Sequence, residues 1–233
     1  DFEGSLYHTH SSENRSEIAE VKRRHKKENI EYFDSIGVID DHSVLAHCIH
    51  VNDKETDLLK RNNVRVSHCP SSNLKLGSGI ANIPKYLKKG ISVSLGADGA
   101  PCNNNLSIFN EMRLAALIQK PIHGSTVMDA RTVFKIATIE GAKALHLQNE
   151  VGSIEVGKKA DLVLLLIDSQ NGLSEADQDL LSKLPKNLPV LIVFNKIDLL
   201  NQSAKIEDKD GYSIVYLSAK TGVGIEILCE KIL

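Results

Sequence analysis

Short apolar runs alternate along this chain with segments whose apolar residues recur three and four positions apart. The runs at 5–10, 44–49, 64–68, 91–95, 161–167, 190–194 and 213–217 carry the residues of β-strands. Between them, at about 14–28, 53–61, 83–88, 106–119, 127–147, 175–182 and 224–232, the pattern has the helical period. Thr126 and Asp129 stand as a capping pair where the long helix 127–147 would open. Regular alternation of strand and helix predicts parallel βα units and therefore an α/β fold. Gly152 to Lys159 interrupts it with turn-forming residues, which places a domain boundary there and divides the chain into 1–160 and 161–233.

Composition narrows the possibilities without naming a function. Among the 233 residues, 28 Lys and Arg face 30 Asp and Glu, so no global field draws the protein to nucleic acid or an anionic membrane. The basic run Lys22 to Lys27 is interleaved with Glu17, Glu20, Glu28 and Glu31, the pattern of a solvated helix face. No apolar run reaches the ~18 residues of a bilayer span. Cys48, Cys69, Cys102 and Cys229 show no C-x-x-C pairing, and Cys48 and Cys69 lie in apolar runs as buried thiols would. A reducing, cytoplasmic setting is the expectation.

The chemistry-bearing residues of 1–160 gather at the carboxyl ends of the expected strands, where α/β barrels build their active sites. His8 and His10 share one face of the first strand, and Glu13 follows it. His47 ends the second, His68 the third, and Asp98 follows the fourth. A lone strand histidine is usually a core residue; an ordered set of ligand-type side chains at one end points to a metal or acid–base site.

The motifs His10-Ser11-Ser12-Glu13, Leu45-Ala46-His47-Cys48, His68-Cys69-Pro70-Ser71-Ser72-Asn73-Leu74-Lys75-Leu76-Gly77-Ser78-Gly79 and Gly96-Ala97-Asp98-Gly99 resemble the amidohydrolase superfamily. Within it they are similar to the branch of cyclic-amidine deaminases and chlorohydrolases, which includes methylthioadenosine/S-adenosylhomocysteine deaminase, guanine deaminase and triazine hydrolases. The resemblance runs from about residue 4 to 165. It implies a (β/α) barrel portion of the strand-five-to-eight type, with a purine or other cyclic amidine as substrate. His10 and Asp98 would hold a divalent metal, zinc first and iron second. Glu13 would carry protons, His47 would orient and help deprotonate water, and Asn73 with Ser71 and Ser72 would line the substrate pocket. A zinc-type ion lowers the pKa of water towards neutrality, and a carboxylate then carries protons to the leaving amine. His8-Thr9-His10 also matches the H-x-H pair of barrel strand one, but the short interval from His10 to His47 favours strand five. The H-x-H strand is then expected to be missing, His8 is a bystander or a makeshift ligand, and two ligands fall short of a tight zinc site.

In the second part, Gly152-Ser153-Ile154-Glu155-Val156-Gly157-Lys158-Lys159 nearly spells a phosphate-binding loop. Lys159 replaces the required hydroxyl and a strand follows where a helix should, so a turn is the better assignment. Asn195-Lys196-Ile197-Asp198 and Ser218-Ala219-Lys220 each follow an apolar strand. Together with Gly172-Leu173-Ser174-Glu175-Ala176-Asp177, they resemble the back half of the G domain of a tRNA-modifying GTPase of the TrmE/MnmE type. The resemblance implies that Asp198 pairs with guanine N1–H and its amino group, and Asn195 meets the other base edge. The Lys196 stem would stack on the ring, and the Ala219 N–H would meet O6. The phosphate loop, switch threonine and magnesium loop are expected to be absent, so GTP or GDP would bind weakly.

The fold expected is thus α/β, a partial (β/α) barrel joined to a partial doubly wound G-domain sheet with parallel strands. Either the two sets of strands form one open sheet, or two sheets form and the chain dimerises through exposed edges. Function is expected to be that of an impaired metal-dependent deaminase portion fused to a partial guanine-nucleotide domain. A nucleotide-binding module and an inactive hybrid are the alternatives.

Overall fold

A computed structural model describes residues 4–160 and 162–232; Asp161, the first residue of one expected strand, lies outside them. The chain divides into two compact units, Asp1–Lys158 and Lys159–Leu233. In the first, the order is β1 (Tyr7–Ser11), α1 (Arg15–His25), α2 (Asn29–Ser35), β2 (Ser43–His47), α3 (Asp53–Arg61), β3 (Arg65–His68), α4 (Pro70–Lys75) and α5 (Ile83–Lys88). It continues through β4 (Val93–Leu95), α6 (Ile108–Ile118), α7 (Lys120–His123), α8 (Ala130–Ala137) and α9 (Ile139–Ala144). The strands form one parallel sheet in the order β1-β2-β3-β4.

Register explains why this sheet has two unlike faces. Leu45, Val66 and Val93 lie in one row across it, all fully buried, and cluster with Leu59, Ile83, Tyr86, Val133 and Ile136 from the helices. The neighbouring row, His10, Ala46, Ser67 and Ser94, points the other way because strand side chains alternate. The core therefore lies between sheet and helices, and the chemistry-bearing residues stand at the strand ends.

The expected helix 127–147 is two helices. Asp129, not Thr126, is the cap of α8: its side chain accepts from the Thr132 N–H. At Thr138 the backbone leaves helical geometry (φ −124°, ψ −94°), and the Thr138 hydroxyl bonds back to the Phe134 carbonyl at 2.7 Å. A β-branched residue whose hydroxyl competes for the preceding turn's carbonyl breaks a helix in this way.

The second unit contains β5 (Val163–Asp168), α10 (Glu175–Lys183), β6 (Val190–Asn195), a 3₁₀ turn (Ile197–Leu200), β7 (Lys205–Lys209), β8 (Tyr212–Tyr216) and α11 (Ile225–Ile232). Its sheet runs β5-β6-β8-β7, so of the two expected arrangements the single open sheet does not form and two separate sheets do. Leu191, Val193, Val215 and Leu217 pack with Ile225, Ile227 and Leu228 of α11. On the other face, Ile167, Ile192 and Ile214 pack with Leu173 and with Leu181 of α10. β7 corrects the all-parallel expectation: it pairs antiparallel with β8. Asp210 and Gly211 between them both take positive φ (53° and 83°), the geometry of a tight hairpin turn. On the outer strand β5, Leu164 and Leu166 are exposed. Among the described residues, no helix is long and apolar enough to cross a membrane.

Candidate active site

The site is built where β1 and β2 end side by side. Cys48 N–H bonds the Ser11 carbonyl at 3.0 Å, and the Ile49 and His50 N–H groups both bond the Ser12 carbonyl at 3.0 Å. Half-buried capping then fixes the turn after β1, since the Glu17 carboxylate accepts from the backbone N–H groups of Ser12 (3.1 Å) and Glu13 (3.0 Å). His47, Cys48 and Asp98 all hold left-handed backbone (φ 70°, 45° and 62°), uncommon for residues other than glycine and concentrated at functional sites.

Three of the expected residues converge. His10 Nδ1 lies 3.9 Å and His47 Nε2 3.8 Å from the same Glu13 oxygen, Oε2. The two imidazoles meet edge to face, 4.7 Å between centroids. One ligand atom from each of His10, Glu13 and His47 lies within 4.8 Å of the others. His47 Nδ1–H donates to Asn73 Oδ1 at 2.7 Å. That bond fixes the tautomer, leaving the Nε2 lone pair directed at the site. His47 Nε2 is buried with no hydrogen-bond partner. A buried, unpartnered imidazole nitrogen beside a second imidazole and a carboxylate is a setting that fits a zinc-type divalent cation.

Asp98 follows β4 on the same side of the sheet. Its carboxylate accepts from Ser72 Oγ at 2.5 Å and from the Gly99 N–H at 2.7 Å. Burial alone would raise this carboxyl. The Ser72 hydroxyl, the Gly99 N–H and the imidazoles of His47 and His10 outweigh burial and hold it below its ordinary range. Gly96 just before it is needed for space, because a Cβ there would sit 2.8 Å from Ser67 Oγ and 3.2 Å from Cys69 Sγ.

Other expected residues have different surroundings. His8 is exposed and stands outside the converging group. Ser72 and Asn73 are buried, their side chains engaged by Asp98 and His47, and the Ser71 N–H bonds Glu111. His68 is 1% exposed, and neither ring nitrogen has a hydrogen-bond partner. Burial, reinforced by nearby His47, depresses its pKa to about 3. Ser78 was given no role in the sequence, yet its hydroxyl donates to Glu13 Oε1 at 3.0 Å. His50 Nε2–H donates in turn to the Ser78 carbonyl at 2.9 Å.

In the second unit, Asn195 Oδ1 accepts from the Ala219 N–H at 2.9 Å and the Lys196 N–H at 2.8 Å. Ser218 Oγ donates to Asp198 at 2.6 Å. Lys196 has φ 68° and its ammonium pairs with Asp168 at 2.7 Å, which holds the Asp168 carboxyl below its ordinary range. Lys220 is exposed. Residues 152–159 form turns with no helix behind them, as expected for a sequence that only imitates a phosphate loop.

Comparison with known proteins places the chain in a lineage. The model of the amidohydrolase family matches residues 1–196, continuing past the unit boundary. A 5-methylthioadenosine/S-adenosylhomocysteine deaminase of Thermoanaerobacter pseudethanolicus is 46% identical over 162 residues, 69% of this chain and 38% of that protein. A 5'-deoxyadenosine deaminase of Methanothermobacter thermautotrophicus is 45% identical over 161 residues, 69% of this chain and 37% of that protein. An adenosine deaminase from Xanthomonas campestris, solved with bound zinc, superposes with a TM-score of 0.65 at 34% identity. That superposition covers 67% of this chain and 36% of that one. The chain thus spans less than two fifths of these relatives' length. With its strand-end histidines, its Asp98 loop and a family model matching most of its length, the chain belongs to the amidohydrolase family.

Proposed function

We propose that residues 1–160 form part of a metal-dependent hydrolytic deaminase acting on a purine or another cyclic amidine. The convergence of His10 Nδ1 and His47 Nε2 on one Glu13 oxygen carries this proposal. His10 and Asp98 would hold a divalent cation, zinc before iron, beside the buried lone pair of His47. When bound, such a cation supplies Lewis-acid activation of water near neutral pH. His47 Nε2 is oriented to accept a proton from a water entering the site, because Asn73 occupies the other ring nitrogen. Glu13, steadied by Ser78, is placed to pass one proton of the water to the ring nitrogen and then the second, from the hydroxyl of the tetrahedral adduct, to the departing amine. Water and the amidine are consumed, and a carbonyl and ammonia are formed. Ser71, Ser72 and Asn73 would form the substrate side of the site, with Ser72 and Asn73 acting through Asp98 and His47.

Adenosine-type substrates are the first choice because the relatives compared above are named as deaminases of such compounds. Turnover is expected to be slow, because a tight zinc site has three or four protein ligands and this proposal assigns two. The test is ammonia release from adenosine, 5'-deoxyadenosine and guanine, with and without added zinc. Zinc-dependent release supports the proposal; none from any of these, with zinc bound, rejects it.

A second reading has its own support. We infer that 161–233 derives from a guanine-nucleotide domain, because the bonds from Ala219 to Asn195 and from Ser218 to Asp198 tie two separate loops together at strand ends. A free Asp198 oxygen and the Lys196 stem would then read the base, without phosphate contacts to add affinity. Titration with fluorescent GDP is expected to show weak binding that Asp198→Ala lowers by about tenfold or more, the scale of a charged hydrogen-bond pair. Unchanged binding in that variant removes this reading. Failure of both tests leaves a fold without activity.

A further inference from the structure

We propose that Glu111 on α6 is a positioning residue for the site, an inference that rests on the deaminase proposal for His10, Glu13, His47 and Asp98. Glu111 is fully buried, and no ion pair among the described residues involves it. One carboxylate oxygen accepts from the Ser71 N–H at 3.0 Å and the other from Asn103 Nδ2 at 2.8 Å. Asn103, itself 4% exposed, also donates from Nδ2 to the Ala97 carbonyl at 2.8 Å, next to Asp98. Glu111 therefore ties the segment after β3 to the segment after β4.

The first of those segments, 70–79, touches every residue of the proposed machinery except His10. Asn73 accepts from His47, Ser72 donates to Asp98, and Ser78 donates to Glu13. An unpaired buried carboxylate is costly and is tolerated only where hydrogen bonds satisfy its oxygens. Both partners of Glu111 are N–H donors, so both of its oxygens must accept. A glutamine in its place offers one acceptor and sets an NH₂ against the other donor. The charge of Glu111 is thus what allows a single side chain to brace both segments.

Glu55 provides the control. It is 2% exposed and also accepts from two N–H donors, here both backbone, those of Ile30 (3.0 Å) and Asn52 (3.1 Å), but neither belongs to segment 70–79. The experiment compares Glu111→Gln and Glu55→Gln in the full chain by amide hydrogen exchange and by titration with zinc alone. Glu111→Gln is expected to speed exchange in 70–79 and 97–103 by about tenfold or more. It should also weaken zinc binding by about 10–100-fold, the usual effect of disturbing groups that orient metal ligands. Glu55→Gln should change neither, even at an equal loss of thermal stability. Unaltered exchange in 70–79 for Glu111→Gln, or equal acceleration by Glu55→Gln, overturns the inference. Should Glu111→Gln fail to fold, Asn103→Ala removes one arm of the brace, and unchanged exchange at 97–103 then overturns it. If the native chain takes up no zinc, the deaminase proposal falls, while the exchange data still decide the role of Glu111.

Discussion

Between pH 6.5 and 4.5 the native chain is expected to lose roughly 1.4 kcal/mol more stability per pH unit than a His68→Leu variant, the weight of one proton. His68 is buried without partners for either nitrogen, and burial lowers its pKa from 6.5 to about 3. In this window the unfolded chain binds a proton at His68 and the folded chain does not, so acid favours unfolding. Above pH 6.5 both states are neutral at this residue and the slope disappears. The carboxyls held below their ordinary values, Asp34 beside Arg61, Glu31 beside Lys54 and Asp98, add their acid losses only below about pH 4.5. Buried Glu55 acts in the opposite sense, since burial raises its pKa and its protonation favours the folded state. The difference between native and variant cancels that contribution. Urea titrations at pH 7, 6 and 5 measure it, and parallel slopes would refute the account of His68.

Glu13→Gln is expected to cut ammonia release by at least about a hundredfold, the lower range for loss of a general acid–base group. Zinc affinity should stay within about threefold of the native value, well short of the 10–100-fold that misplaced ligands cost. The substituted amide keeps the length of Glu13 and an oxygen for the Ser78 hydroxyl, so the turn after β1 retains its shape. What an amide cannot do is take up and deliver a proton. A parallel fall in zinc binding would make Glu13 a ligand, and unchanged turnover would remove it from the chemistry. Progress curves at saturating zinc separate these outcomes.

Strand positions were legible because period and composition are local properties. All seven expected strands appear, each displaced by no more than two residues at either end, apart from Asp161, which lies outside the described residues. β7 escaped notice because Lys205 to Lys209 is mostly charged and exposed; the Asp210-Gly211 turn was its one local signal. The break at Thr138 depends on a hydroxyl finding a carbonyl, which apolar periodicity does not register. Pro70 could have announced α4, since proline suits the first helical turn.

The site divides along the same line. Residue type and strand-end position singled out His8, His10, Glu13, His47, His68 and Asp98, of which the structure gathers His10, Glu13 and His47. The left-handed backbone at His47, Cys48 and Asp98 left no mark in the sequence, because none of the three is glycine. Glu111 was hidden for a different reason. A glutamate within a helix reads as a solvent-facing position, and only tertiary contacts with Ser71 and Asn103 show it to be interior.

Zinc content per chain tests the central claim most directly. With zinc held in excess at equilibrium, the native chain should bind about one zinc ion, and His10→Ala close to none. Retention of the ion by His10→Ala, or its absence from the native chain, would contradict the assignment of these strand ends as a metal-dependent site.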